Sequence, residues 1–276
     1  MSIKKILLKA KKQVFGEMLG NNASLFQGEG FEFTELREYV HGDDVRKIDW
    51  KSTAKLGKPF IKIYHEEREL NVVTALMMGG SCYFGTVRQK SELMSELVAL
   101  LGFSAVKNGD KFSSIIFADR LYHSSKANKK FFAVQEAVTR VENFEMLGKE
   151  SDYQTFVDTL YKRIKRKSLL FIISDCVGSL DLALLSKKHD VLVLIVRDKF
   201  EENPAELGYI RLMDMEQSQS FEGTLGKSQV KSYIKALKEN DEKLYAHFKK
   251  NAVRYAKFYT DEEPYLKLSK LLRQGR

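Results

Sequence analysis

The sequence predicts an α/β fold built on a doubly wound, mostly parallel sheet with helices on both faces. Two observations predict it. Short, nearly continuous apolar runs recur at 72–78, 168–174 and 191–196, the texture of strands buried on both faces. Longer segments between them carry apolar residues at helical spacing: Met94, Leu97, Val98, Leu101 and Ala105, then Phe156, Leu160 and Ile164. Strands alternating with helices need crossover connections, and these generate parallel sheets covered on both sides.

In chain order, Ile3, Leu7, Ala10, Val14 and Met18 recur at helical spacing and predict an amphipathic packing helix. Residues 24–69 read as loops and short strands. Within them, 60–65 partly alternate, with Ile61 and Ile63 facing inward and Lys62 outward. A strand is expected over 112–117, ended by Ala118-Asp119, and a helix over 131–141. The helix holding Phe156 starts near Ser151-Asp152, which supply cap chemistry. Further strands are expected at 209–213 and 254–259. A lysine-rich helix over 228–250 shows a narrow apolar stripe of Ile234, Leu237, Leu244 and Phe248. The texture changes at Leu70, so the chain divides into residues 1–69 and a larger domain of residues 70–276.

The composition excludes several function classes. With 276 residues, 43% of them apolar, a sizeable core is affordable, and three prolines leave no obvious linker. The net charge of +9 admits an acidic partner. The basic residues are spread along the chain without an aromatic-rich motif, so nucleic acid is not expected. Two cysteines make no disulfide framework, and a reducing cytoplasm is the expected location. No apolar run approaches the roughly 20 residues of a spanning helix. Lys9, Lys11 and Lys12 interrupt the only signal-like stretch. The five histidines sit singly, without zinc-ligand spacing. Gly28-Glu29-Gly30 is no phosphate loop, and Gly79-Gly80-Ser81 is no nucleophile elbow. No catalysis is expected. Cys82, at a helix start, reads as a packed small apolar residue rather than a reactive thiol.

The densest information lies in residues 30–69, where Arg37, Arg46 and Arg68 interleave with Glu35, Glu38, Asp43, Asp44 and Asp49. Arg37, Arg46, Asp43, Asp44 and Asp49 are expected to form one hydrogen-bonded network that fixes the chain path. Trp50, the only tryptophan, is expected to be largely buried beside it. In a doubly wound sheet, ligands bind outside the carboxyl ends of the strands. The loops at 77–86 and 174–178 are therefore the expected site.

The sequence Gly42-Asp43-Asp44-Val45-Arg46-Lys47-Ile48-Asp49-Trp50 is specific. So are Gly30-Phe31-Glu32-Phe33 and Leu36-Arg37-Glu38-Tyr39 before it. After it come Thr53-Ala54, Gly57-Lys58-Pro59, Glu66-Glu67-Arg68, Ile173-Ser174-Asp175, His189-Asp190-Val191, Asp198 and Asp214-Met215-Glu216. Together they resemble the bacterial domain-of-unknown-function family numbered fifty-eight. The resemblance implies a von Willebrand factor A-like domain. It also implies a non-enzymatic protein that works beside a MoxR-type AAA+ ATPase on client proteins. Such domains often bear a metal-ion-dependent adhesion site, with Asp-x-Ser-x-Ser and a hydroxyl and an aspartate from two later loops. Aligned on Phe84-Gly85, Met77 stands at the first aspartate and Gly79 at the first serine. Ser81 survives, Ser151 stands at the second loop and Asp175 at the third. Magnesium needs more hard oxygen ligands than these supply, so the expected site is degenerate and binds magnesium weakly if at all. Ser81 and Asp175 are otherwise expected to hydrogen-bond their own loops.

Overall fold

In the computed structural model, residues 2–16, 33–64, 69–205, 208–216 and 219–273 are described. The chain divides into two units, Gln27–Glu69 and the remainder. The signature stretches Gly30-Phe31-Glu32 and Glu66-Glu67-Arg68, with Met18 and His65, lie outside the described residues. The first helix, α1 (Ile3–Gly16), belongs to the larger unit. The expected single boundary at residue 69 is therefore corrected: Ile6, Ala10 and Val14 are buried in the same core as the sheet, and that apolar face holds the helix there.

The smaller unit contains β1 (Phe33–Glu38), α2 (Trp50–Leu56) and β2 (Phe60–Tyr64), with β1 and β2 antiparallel. The larger unit continues with β3 (Asn71–Met77), α3 (Lys90–Lys107), β4 (Lys111–Phe117), β5 (Leu121–Ser124), α4 (Phe131–Glu142) and α5 (Tyr153–Arg163). Then come β6 (Leu169–Ser174), α6 (Ala183–Lys188), β7 (Asp190–Arg197) and α7 (Lys199–Glu202). A hairpin of β8 (Gly208–Asp214) and β9 (Gln219–Leu225) precedes α8 (Lys227–Lys250), β10 (Arg254–Tyr259) and α9 (Pro264–Arg273).

Six strands form one sheet in the order β10-β7-β6-β3-β4-β5, parallel except for β5 at the edge. This is the doubly wound, mostly parallel fold expected of a von Willebrand factor A-like domain. The strands bury alternate residues into two apolar layers. Val72, Leu76, Ile116, Phe171, Ile173, Leu192 and Leu194 face a layer shared with α1, α3, α4 and α9. Val73, Ala75, Met77, Ile115, Leu170, Ile172, Val193 and Ile195 face one shared with α5 and α8. Two buried faces explain why the strand sequences run apolar without alternating. Helix α3 is buried from Lys90 to Val106 apart from Glu92.

The chain enters the sheet at β3, steps to β4 on one side and returns to β6 on the other. The strand order therefore reverses between β3 and β6, and the carboxyl ends of those two strands flank the crevice where doubly wound folds place ligands.

Between α6 and β7, His189 is 3% exposed and neither ring nitrogen has a hydrogen-bond partner. Burial, helped by the Lys188 charge, lowers its pKa to about 4. The folded state thus holds a neutral imidazole, whereas the unfolded chain takes up a proton below its ordinary pKa of about 6.5. Stability should fall as pH drops from about 6.5 to about 4. His189→Leu should flatten that part of a urea-denaturation profile measured against pH.

Candidate functional site

The site assembles from loops at the carboxyl ends of β3, β6 and β7. After β3, the chain makes a short 3-10 turn over Gly80–Tyr83 and then enters α3. The Ser81 hydroxyl donates to Asp175 Oδ2 at 2.6 Å, so two of the three expected site residues meet. The third does not join them: Ser151 Oγ donates to Glu216 Oε1 at 3.2 Å. Tyr153, the first residue of α5, donates to Asp175 Oδ1 at 3.2 Å and pairs with Ser174 Oγ at 2.9 Å.

The centre of the cluster is Lys90, which the sequence reading did not single out. Its side chain is fully buried. Its ammonium donates to Asp175 Oδ2 at 3.0 Å and to Glu201 Oε1 at 2.6 Å. Burial opposes the ammonium, but the Asp175 and Glu201 carboxylates outweigh it and raise the lysine pKa. Burial would also raise the Asp175 carboxyl, yet Lys90 and the Ser81 hydroxyl hold it at about 2. Lys90 and Asp175 are therefore both charged at neutral pH.

Asp198 couples the same loops a second time. It caps α7, with Glu201 closing a reciprocal capping box. The Thr86 backbone N–H reaches its Oδ2 at 2.8 Å, and the hydroxyls of Thr86 and Thr260 donate to it as well. Behind this layer, Arg197 is 1% exposed and pairs with Asp241 at 3.0 Å. Lys257 donates to the other oxygen of Asp241 at 2.9 Å.

The tip of the β8–β9 hairpin sits against the loop after β3. The Gly148 N–H donates to the Met215 carbonyl at 2.9 Å. A Cβ on Gly80 would lie 2.3 Å from that carbonyl oxygen, and one on Gly79 would lie 2.2 Å from Ser151 Oγ and 2.6 Å from Glu216 Oε1. Close approach of the Met215 backbone requires glycine at 80, whereas a side chain on Gly79 would push aside the ends of Ser151 and Glu216. Burial raises the Glu216 carboxyl pKa; Ser151 partly offsets this, and Asp175 and Asp214 add to it.

The donor set does not fit a magnesium shell. Met77, at the first aspartate position, is fully buried in the apolar layer with Phe117 and Phe156. Gly79 has no room for a serine side chain. Both oxygens of Asp175 already accept hydrogen bonds. Among the described residues, no group of three or more His, Cys, Asp or Glu side chains is placed to hold a metal. Met77→Asp with Gly79→Ser would not by itself supply the missing hard ligands. The first strands a carboxylate among apolar side chains, and the second collides with Ser151. Cys82 and Cys176 are free and buried. Burial pushes both thiols up, Cys176 to about 12, so neither is a thiolate nucleophile.

The signature segment also departs from expectation. Arg37 clasps both oxygens of Asp43 at 2.8 and 2.9 Å, and the Val40 N–H donates to the same carboxylate. Gly42 between them has φ of +109°, which disfavours a side chain there. Asp44 caps the 3-10 turn Val45–Lys47. Asp49 caps α2 through the Lys51 N–H and the Ser52 hydroxyl. These contacts are local clips and caps, and the Arg46 side chain is exposed. Trp50 is 70% exposed, not buried. It is the first residue of a two-turn helix that buries none of its residues.

Three comparisons bear on identity. The model of a family described as "Protein of unknown function DUF58" matches residues 35–243. Uncharacterized protein Rv1480 of Mycobacterium tuberculosis (strain H37Rv) is 26% identical over 225 residues, covering 78% of this chain and 70% of its own length. Uncharacterized protein Mb1516 of Mycobacterium bovis matches equally. Among solved structures, the conserved hypothetical protein BatB from Bacteroides thetaiotaomicron aligns with a TM-score of 0.45 and 13% identity, over 74% of this chain and 98% of that one. An aerotolerance-related membrane protein from Bacteroides fragilis NCTC 9343 aligns with the same TM-score and identity, over 74% and 99%. Among the described residues, no helix is long and apolar enough to cross a membrane.

Two substitutions probe the site's packing. Gly80→Ala should lift the hairpin tip, seen as faster amide hydrogen exchange over 208–225 while exchange in β3 and β6 stays slow. Met77→Asp should cost about 3 kcal/mol or more in urea denaturation, because its carboxylate has no partner in the apolar layer.

Proposed function

We propose, from the premise that this chain belongs to the DUF58 family, that it is a non-catalytic protein-interaction or adaptor protein. On this reading it acts with a MoxR-type AAA+ ATPase on client proteins in the cytoplasm. The observation that carries the reading is the exposure of Trp50. The polar signature residues Arg37, Asp43, Asp44 and Asp49 are spent on clips and caps that hold the segment's shape. The apolar side chains Val40, Val45, Trp50 and Leu56 are left 57%, 59%, 70% and 57% exposed. A clipped and capped segment that displays a tryptophan has the composition of an interface anchor, since tryptophan leads the residues that dominate binding energy. Solvation alone gives no reason to place it there.

The chemistry of the loop cluster agrees with a non-catalytic reading. Asp175 and Glu201 are ion-paired with Lys90, the thiols are buried, and Tyr153 is held well above its usual pKa by burial. No group there combines a nucleophile with a free base. Both cysteines being free is compatible with a reducing compartment.

The test is co-precipitation of the purified chain with the MoxR-type ATPase of the same host, with and without ATP. Trp50→Ala should leave the melting temperature within about 2 °C, because an exposed side chain contributes little to stability. It should reduce capture of the ATPase at least tenfold, the scale of a hot-spot truncation. Asp49→Ala should instead cost about 1 kcal/mol, as the loss of a helix cap does. Arg46→Ala should change stability by no more than about 0.5 kcal/mol. Undiminished capture by Trp50→Ala would remove the basis of this reading.

A further inference from the structure

We propose that Lys90 is the built-in cation of the loop face: it supplies the positive charge that the family resemblance assigns to a divalent metal, and it latches the loops without one. The inference stands apart from the reading of Trp50 and does not depend on any partner.

Four observations support it. First, the ammonium lies where the loops converge. It contacts Asp175 from the loop after β6 and Glu201 from α7, while its own backbone begins α3 directly after the β3 loop. One cation thus joins the carboxyl ends of three neighbouring strands, β3, β6 and β7. Second, it is fully buried. A lysine withdrawn from water ordinarily loses its proton, and it keeps its charge only where opposite charges outweigh desolvation. Third, Asp175 is the aspartate that the resemblance places in the metal site. Its Oδ2 is shared by Ser81 at 2.6 Å and Lys90 at 3.0 Å. Ser81, the one hydroxyl retained from the first motif, is therefore directed at the lysine-bound oxygen. Fourth, the departures from the metal pattern are mutually consistent. Met77 belongs to the apolar layer, and Gly79 makes room for Ser151 and Glu216. A tethered monocation needs fewer oxygens than a six-coordinate magnesium ion, so those two ligands are dispensable once Lys90 is present.

The proposal distinguishes a cation site filled by a side chain from an ordinary buried ion pair. Removing the lysine should leave a cavity lined by the Asp175 and Glu201 carboxylates and the Ser81 hydroxyl, with affinity for small cations. The experiment compares the full wild-type chain, Lys90→Ala, and a triple variant carrying Lys90→Ala, Asp175→Asn and Glu201→Gln. Melting temperatures are measured in sodium chloride, methylammonium chloride and magnesium chloride at matched ionic strength. In sodium chloride, Lys90→Ala should melt on the order of 10 °C below wild type, because the buried Asp175 carboxylate and the part-buried Glu201 carboxylate lose their partner. Methylammonium should recover a substantial part of that loss by mass action on the native state. Recovery in magnesium would support the proposal in the same way. Wild type and the triple variant should show no such response.

A Lys90→Ala protein that melts like wild type would overturn the proposal. So would one that recovers in neither cation, or a wild-type protein stabilised by magnesium. If Lys90→Ala does not fold in sodium chloride, refolding yield replaces melting temperature. Yield restored by methylammonium supports the built-in cation, and yield that stays at zero in both cations overturns it.

Discussion

The loop face of this protein depends on a buried ammonium held between two carboxylates. Lys90, Asp175 and Glu201 are distant in sequence, and no local preference brings them together. Each charge alone would be expensive to bury, and breaking such a set by removing one member strands the others. The parallel sheet resolves this by bringing the ends of β3, β6 and β7 side by side. In return, the ion cluster defines where the loops leaving those strands must run. Asp198 repeats the connection by capping α7 while accepting from Thr86 and Thr260.

The rest of the face is shaped around this cluster. Ser81 and Tyr153 complete the hydrogen bonding of Asp175, so the carboxylate is satisfied as well as neutralised. The glycine pair at 79–80 gives up side chains so that the hairpin tip, with Glu216, can approach Ser151. An isolated two-stranded hairpin is marginal in water, so its seat on the loop is a natural weak point of the face. The smaller unit follows a different logic. Its described residues bury little apolar surface and are shaped by the Arg37–Asp43 clip, by Gly42 and by the Asp44 and Asp49 caps. That economy explains how a segment of about forty residues can expose its one tryptophan and still keep a defined path.

Much of the fold was legible in the sequence because its signals are local. The strands at 71–77, 169–174 and 190–197 and the helices at 90–107 and 153–163 lie within a few residues of the expected positions. Their periodicity arises from the pleat and the helical turn, which any short window contains. Two placements lay beyond these local signals. The stripe on the first helix predicts that a packing partner exists, not which one, and the fold joins it to the larger unit. Trp50 was expected inside because large aromatics usually are, whereas the capped helix it begins turns it outward.

By itself, the sequence determined the alternation of strands and helices, the two-sided burial of the sheet, the Asp152 cap and the family signature. It also singled out Ser81, Ser151 and Asp175 as candidate site residues. Only the tertiary structure decided which of these meet. It joined Ser81 to Asp175, turned Ser151 to Glu216 and brought Lys90 into the centre. A lysine at the start of a helix gives no sequence signal of burial, because its usual state is solvated. Its charge survives inside through Asp175 and Glu201, which lie 85 and 111 positions away along the chain. Coulomb energy depends on distance in space and on the exclusion of water, and the folded sheet sets both.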